Sequence, residues 1–177
     1  MELTQAQIDD FATYARRPET WLAGSRRHLA VFEVLSDRLA ILNLTAGRSQ
    51  DEFSGCHFSA YLHAGLAVEN AVKAVMISGD PTIVQDGRLD RKKLGKRSGH
   101  GFLDIAEQVL GELSKEERHI LCNLEEHVVW AGKYTVPMQS DVLYDQDALQ
   151  RLRTSPMNER EIIRGLVSRL QVRANAA

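Results

Sequence analysis

A chain of 177 residues with 44% hydrophobic and 26% charged residues has the size and composition of one globular domain with a single core, which excludes the disordered and fibrous classes. Its net charge of -2 supplies no long-range attraction for nucleic acid or for an anionic membrane, so binding of either kind has to come from a local patch. Cys56 and Cys122, the two cysteines, lie in apolar helical stretches without CxxC spacing and are expected to be reduced core residues.

Residues 1 to 5 carry no charged-then-apolar leader pattern, and no run of about 18 residues is free of charge. A cytoplasmic protein without a membrane span is expected. Thr4 followed by Gln7 has the spacing of a capping box and opens a helix to about Arg16. Pro18 interrupts it and can start the next helix, in which Trp21, Leu22, Leu29, Phe32, Leu35, Leu39 and Leu42 recur at helical intervals. After Gly47 and a polar link, a third helix runs from about Glu52 to Ser78, ended by Gly79 and Pro81. Phe58, Leu62, Leu66, Val72 and Met76 are its expected core residues. Ala60, Ala64, Ala67, Ala71 and Ala74 keep it slim enough for close helix packing.

Residues 79 to 99 hold Pro81, Gly87, Gly95 and Gly99 with six basic residues and read as a mobile basic loop. A fourth helix spans about Gly101 to Gly111. A fifth begins at a second capping box, Ser114 and Glu117, and continues to about Trp130 or Ala131. Residues 132 to 145 read as irregular with room for one short extended piece, and Ser155-Pro156 starts the last helix. The expected architecture is therefore all-α, a single helical-bundle domain of about five to six helices over residues 1 to 177.

The stretch from Ala67 to Ile77, with Glu69-x-x-x-Lys73-Ala74 at its centre, followed by a loop and then His100-x-x-Leu103, resembles the HEPN superfamily of small helical proteins. The segment from Val129 to Pro137, containing Trp130-Ala131-Gly132-Lys133-Tyr134, looks like the end of a related group of bacterial proteins. The resemblance covers roughly residues 55 to 138. It implies an HEPN-like bundle, a homodimer formed through its long helices, and a role in binding a nucleotide-like ligand, RNA or a partner protein. Catalytic HEPN ribonucleases carry Arg-x4-6-His, which cleaves RNA without a metal across the dimer. That spacing is missing here, so the resemblance implies a non-catalytic module; the alternative is a ribonuclease with a displaced pair, Arg118 and His127.

Each candidate has a plain structural reading beside the functional one. Glu69 and Lys73 are placed for an ion pair one helical turn apart, yet with Asn70 they interrupt a helix that is otherwise alanine-rich and buried, where polar groups need partners. His100 can cap the next helix or accept a proton from a ligand. Trp130, Lys133 and Tyr134 can stack on a base and neutralise its phosphate, or Trp130 can simply close the core. Arg88, Arg91, Lys92, Lys93, Lys96 and Arg97 form the one concentrated basic run, able to clamp phosphates or to stay solvated. Glu116 and His119 have the Glu-x-x-His spacing of carboxylate-bridged metal bundles without a second copy. His57 with His63 and His119 with His127 miss the spacing of a helical zinc site. No metal or other cofactor is expected. Neither a glycine-rich phosphate loop nor a Gly-x-Ser-x-Gly elbow occurs.

Overall fold

The computed structural model describes residues 4–85, 87–90, 92–94, 100–131 and 156–176, with side chains for all of these except 130, 131 and 156–158. Both capping boxes form as the sequence predicts. Gln7 donates its backbone N–H to the Thr4 hydroxyl at 3.3 Å while the Gln7 side chain accepts from the Thr4 N–H at 2.9 Å, opening α1 (Gln5–Ala15). Pro18 occupies the first position of α2 (Pro18–Leu44), where a missing N–H costs nothing. Ser49 caps α3 (Gln50–Gly79) by accepting from the Glu52 N–H at 3.3 Å. After α4 (Leu103–Leu110), Ser114 and Glu117 form the second box at the start of α5 (Lys115–Glu126). The chain then widens into a π turn (His127–Ala131), and the last helix is α6 (Pro156–Ala176). The irregular segment expected at 132 to 145, and the cap expected at Ser155, lie outside the described residues.

The architecture is all-α, with α3 at its centre and α2, α5 and α6 packed around it. Among the described residues no helix is long and apolar enough to cross a membrane. Of the five core residues expected on α3, only Val72 is fully buried; Leu62, Leu66 and Met76 are half-buried and Phe58 is exposed. The enclosed faces belong instead to Ala60, Tyr61, Ala64, Ala67, Val68, Ala71, Ala74 and Val75. Small side chains face the neighbours because they allow the helix axes to approach, and the bulky ones are displaced to the margins.

Gly65 is the closest of these approaches. A methyl group there would sit 2.5 Å from Val128 Cγ2 and 2.9 Å from the carbonyl oxygen of Leu124, and a backbone oxygen cannot swing aside as a side chain can. The entry into the π turn is thereby packed directly on α3.

Part of the segment read as a loop is built. Pro81–Ile83 forms a 3-10 turn, and β1 (Val84–Gln85) pairs antiparallel with β2 (Arg88–Leu89), Val84 opposite Leu89 and Gln85 opposite Arg88. Gly87, with φ of 68°, makes the reversal. Ile83, Val84 and Leu94 are buried with Ala12, Ala15 and Ile77 in a small second core, and the Arg16 guanidinium donates to the Val84 carbonyl at 2.9 Å. Too few apolar residues are present for a periodic signal, yet three well-placed ones suffice to tie the segment to α1 and α3.

Gly65→Ala is expected to lower the unfolding free energy by about 1–3 kcal/mol through overpacking, measured by urea denaturation, whereas Gly55→Ala, which meets open space in the same helix, is expected to raise it by about 0.5–1 kcal/mol through helix propensity.

Candidate functional site

Enclosure of α3 leaves a charged residue on it two options: to be neutralised, or to be paired. Glu69 is only 4% exposed, and it is paired twice. Lys73, one turn on, forms an ion pair with Oε1, and His100 donates from Nδ1 to Oε2 at 2.9 Å. Burial pushes the Glu69 carboxyl upward, but the His100 hydrogen bond and the Lys73 ammonium outweigh it and hold the group below the usual carboxylate range. Glu69 is thus an anion inside the bundle with both oxygens engaged.

His100 reaches Glu69 from the segment that precedes α4. It does not cap that helix: the Leu103 N–H at the first turn donates to Glu125 Oε1 at 2.5 Å instead. With Nδ1–H committed to a buried carboxylate, His100 has Nε2 as its other polar atom, and its side chain remains 38% exposed. A carboxylate fixing the orientation of a half-exposed imidazole holds a hydrogen-bonding nitrogen in a defined position.

Four further side chains, Trp21, Asn70, His28 and His63, extend this polar seam between α2 and α3. Lys73 Nζ lies 5.5 Å from the centroid of the Trp21 ring, whose Nε1–H donates to the Ala15 carbonyl at 2.8 Å. Asn70 donates from Nδ2 to the Leu66 carbonyl at 2.7 Å. Its Oδ1 packs against Gly24, where a methyl group would come within 3.0 Å. His28 and His63 approach Nδ1 to Nδ1 at 2.9 Å, so one ring donates to the other. Burial lowers the pKa of both; for His28 the Glu69 charge opposes that shift, and for His63 the His28 ring adds to it. None of Trp21, Gly24, His28 and His63 was expected at this site: Trp21 was read as part of a core stripe, and His63 was weighed only for a zinc spacing. Their signal was the spacing of 21, 24 and 28 on one face of α2 and of 63, 70 and 73 on one face of α3, which becomes visible only when the two helices are laid together.

The remaining candidates are not gathered at this seam. The side chain of Trp130, and all of Lys133 and Tyr134, lie outside the described residues, as do Arg91, Lys96 and Arg97 of the basic run. Arg88 and Lys92 are exposed, while Lys93 is tied down, donating to Asp80 Oδ2 at 2.8 Å and to the Thr82 hydroxyl at 2.7 Å. These three cations follow the C-terminal end of α3 in the chain.

Arg118 and His127 do not form a pair within the chain. Arg118 is held by Glu107 on α4. His127 is fully buried, donates from Nδ1 to the Asn123 carbonyl at 3.0 Å, and stacks on Tyr61 at 4.6 Å between ring centroids. Tyr61 in turn donates to Glu159 at 2.6 Å. His127 Nε2 meets no hydrogen-bond partner among the described residues. Burial drives the His127 pKa down to about 4, only partly opposed by the hydrogen bond to Asn123, with His57 pushing the same way as burial. Solvent does not reach this ring, so in this conformation it exchanges no proton with a bound substrate. Among the described residues no group of three or more potential ligands is placed to hold a metal ion.

The fold and the seam together define an all-α bundle whose buried carboxylate orients a surface histidine. No family model matches the chain, and neither a curated protein nor a solved structure matches it.

Two pH responses follow from these burials. Glu69 has a folded pKa below its ordinary 4.5, so its contribution to stability is present above that value and is lost as pH falls through the lower folded one. His127 behaves differently: between pH 6.5 and about 4 the unfolded chain takes up a proton that the folded chain refuses, costing up to about 3 kcal/mol of stability across that window. Denaturation at stepped pH is expected to show this slope in the parent chain and a shallower one in His127→Gln, and the His127 ring resonances are expected not to titrate above about pH 5.

Proposed function

We propose that this chain is a non-catalytic binding module of HEPN-like type whose ligand is anionic and nucleotide-like, docked at the seam where His100, Asn70 and Lys73 reach the surface. The observation that carries the reading is Glu69, a buried carboxylate spent entirely on fixing Lys73 and His100. A buried ion pair is weak support for stability, since an apolar pair of the same volume does as well or better. Its effect here is to hold Lys73 over the Trp21 ring and the His100 imidazole in a fixed orientation, on a seam that also carries the His28–His63 pair. A preorganised set of donors next to aromatic surface suits a ligand with a flat ring and a phosphate: the ligand does not have to order these side chains on arrival. The exposed cations Arg88 and Lys92 add local positive potential to a chain of slightly negative net charge.

Isothermal titration with AMP, ATP and a single-stranded RNA oligonucleotide tests the reading. The expected result is micromolar binding of at least one probe, weakened about tenfold or more by His100→Ala at a temperature where circular dichroism shows the variant still folded, since removing one of the two partners of buried Glu69 also lowers the melting temperature. Glu69→Gln is expected to weaken binding as well, by freeing both partners. If the parent chain binds none of the three and native mass spectrometry of the purified protein finds no retained small molecule, the reading falls.

A further inference from the structure

The main core and the small second core do not close fully on one another. Val75 and Ile105 belong to the first and Ile83 to the second, and Met76 packs against both. These four side chains line a recess of about 580 Å³ where the C-terminal end of α3 meets α4 and α6. A second recess of about 640 Å³, with Leu110 and Val172 in its wall, runs along the end of α6. Gln108, Val109 and Arg173 line both, so the two form one cleft. Each part has the volume of a small-molecule site, roughly 300–1,000 Å³.

Three cations border this cleft, and two of them are engaged. Lys93 is held by Asp80 and Thr82, and Arg169 is held by Glu117. Arg173 is exposed and makes no hydrogen bond or ion pair among the described residues. Its plain structural role is to favour the negative end of the α6 dipole from the last turn. That role leaves the guanidinium donors open and does not explain why the side chain stands between two apolar recesses. Asp80, the one acid lining the cleft among the described residues, is already neutralised by Lys93.

We propose that the cleft binds a medium-chain fatty carboxylate, its head on the Arg173 guanidinium and its tail in the recess over Met76. Charge and polarity select this occupant. A guanidinium without a partner offers a planar fork of donors matched to one carboxylate. The floor beside it is apolar, so a ligand with several charges would leave some of them against Val75, Ile83 and Ile105 at a desolvation cost. An extended peptide would bring backbone amides onto the same floor without partners. No aromatic ring lines the cleft among the described residues, which removes the surface on which a base would stack. Met76 is unbranched and adapts its shape to a tail laid over it. None of Glu69, Asn70, Lys73 and His100 lines the cleft, so this inference is independent of the ligand proposed above.

Isothermal titration of the full chain with decanoate, octanoate and decyltrimethylammonium, each kept below micelle formation, tests the assignment. Decanoate is expected to bind with a Kd below about 1 mM. Octanoate is expected to bind about tenfold more weakly, because two fewer methylene groups leave water. The cationic amphiphile, with the same tail and the opposite head, is expected not to bind. Arg173→Gln is expected to weaken decanoate about tenfold or more, and Arg173→Lys less, since it keeps the charge and loses the fork. Circular dichroism is expected to show equal helicity in both variants, the side chain being exposed. Four results would each overturn the proposal: no decanoate binding by the parent chain; equal affinity for the two chain lengths, which marks an ion pair at a surface arginine only; equal affinity for the cationic amphiphile; or affinity unchanged in Arg173→Gln, which marks apolar adhesion elsewhere.

Discussion

A helix enclosed by its neighbours on nearly every side allows few polar residues, and those it keeps must find partners within the protein. α3 is such a helix, and the fixed arrangement of the polar seam follows from that constraint. Its alanines and Gly65 bring α2, α5 and α6 close; that closeness removes water from Glu69; and the loss of water makes both Lys73 and His100 necessary to hold the charge. His100 arrives from a segment thirty-one positions later in the chain. The carboxylate therefore links the central helix to the start of α4 as well as orienting the ring, so that the placement of the candidate site and the packing of the bundle are one requirement.

The two histidines singled out for chemistry show how far environment divides identical side chains. Both use Nδ1 as a donor, one to a carboxylate and the other to a backbone carbonyl. His100 keeps its other nitrogen at the surface, whereas His127 turns its own into an aromatic cluster with Phe58 and Tyr61 and is held neutral by burial. A π turn begins at His127, and Val128 within it, together with the Leu124 carbonyl before it, presses against α3 at Gly65. For His127 the plain structural reading, a buried core ring, accounts for the Asn123 hydrogen bond and the aromatic contacts, with Nε2 left without a hydrogen-bond partner among the described residues. For His100 the plain reading of a helix cap fails, because Glu125 takes that place.

How much of this was legible beforehand depended on whether the signal was local. The caps at Thr4 and Ser114 rest on contacts three residues apart and were read directly, whereas Ser49, whose cap is equally local, was read as part of a polar link, so that α3 begins two residues before its expected start. The Glu69–Lys73 pair is equally local and needed no tertiary information. The core face of α3 was misread at Phe58 because hydrophobicity was weighed above size; the helix has neighbours on several sides, and closeness selects alanine where bulk selects the margin. The hairpin at 84 to 89 was hidden for a different reason, since two-residue strands carry no period and their stability comes from Ile83, Val84 and Leu94 meeting α1. The partnership of Glu69 with His100, and of His28 with His63, required knowing which helix faces meet, and that information is distributed over the whole chain.

The pattern of α2 bears on this last point. Its inner stripe, through Leu22, Ser25, Leu29, Phe32, Ser36 and Leu39, is apolar enough to be read at once, with two serines small enough to admit α3 and α6. Its solvent face carries Arg27, Val34, Asp37 and Ile41 at helical spacing, and the two charges make it register as ordinary amphipathic surface.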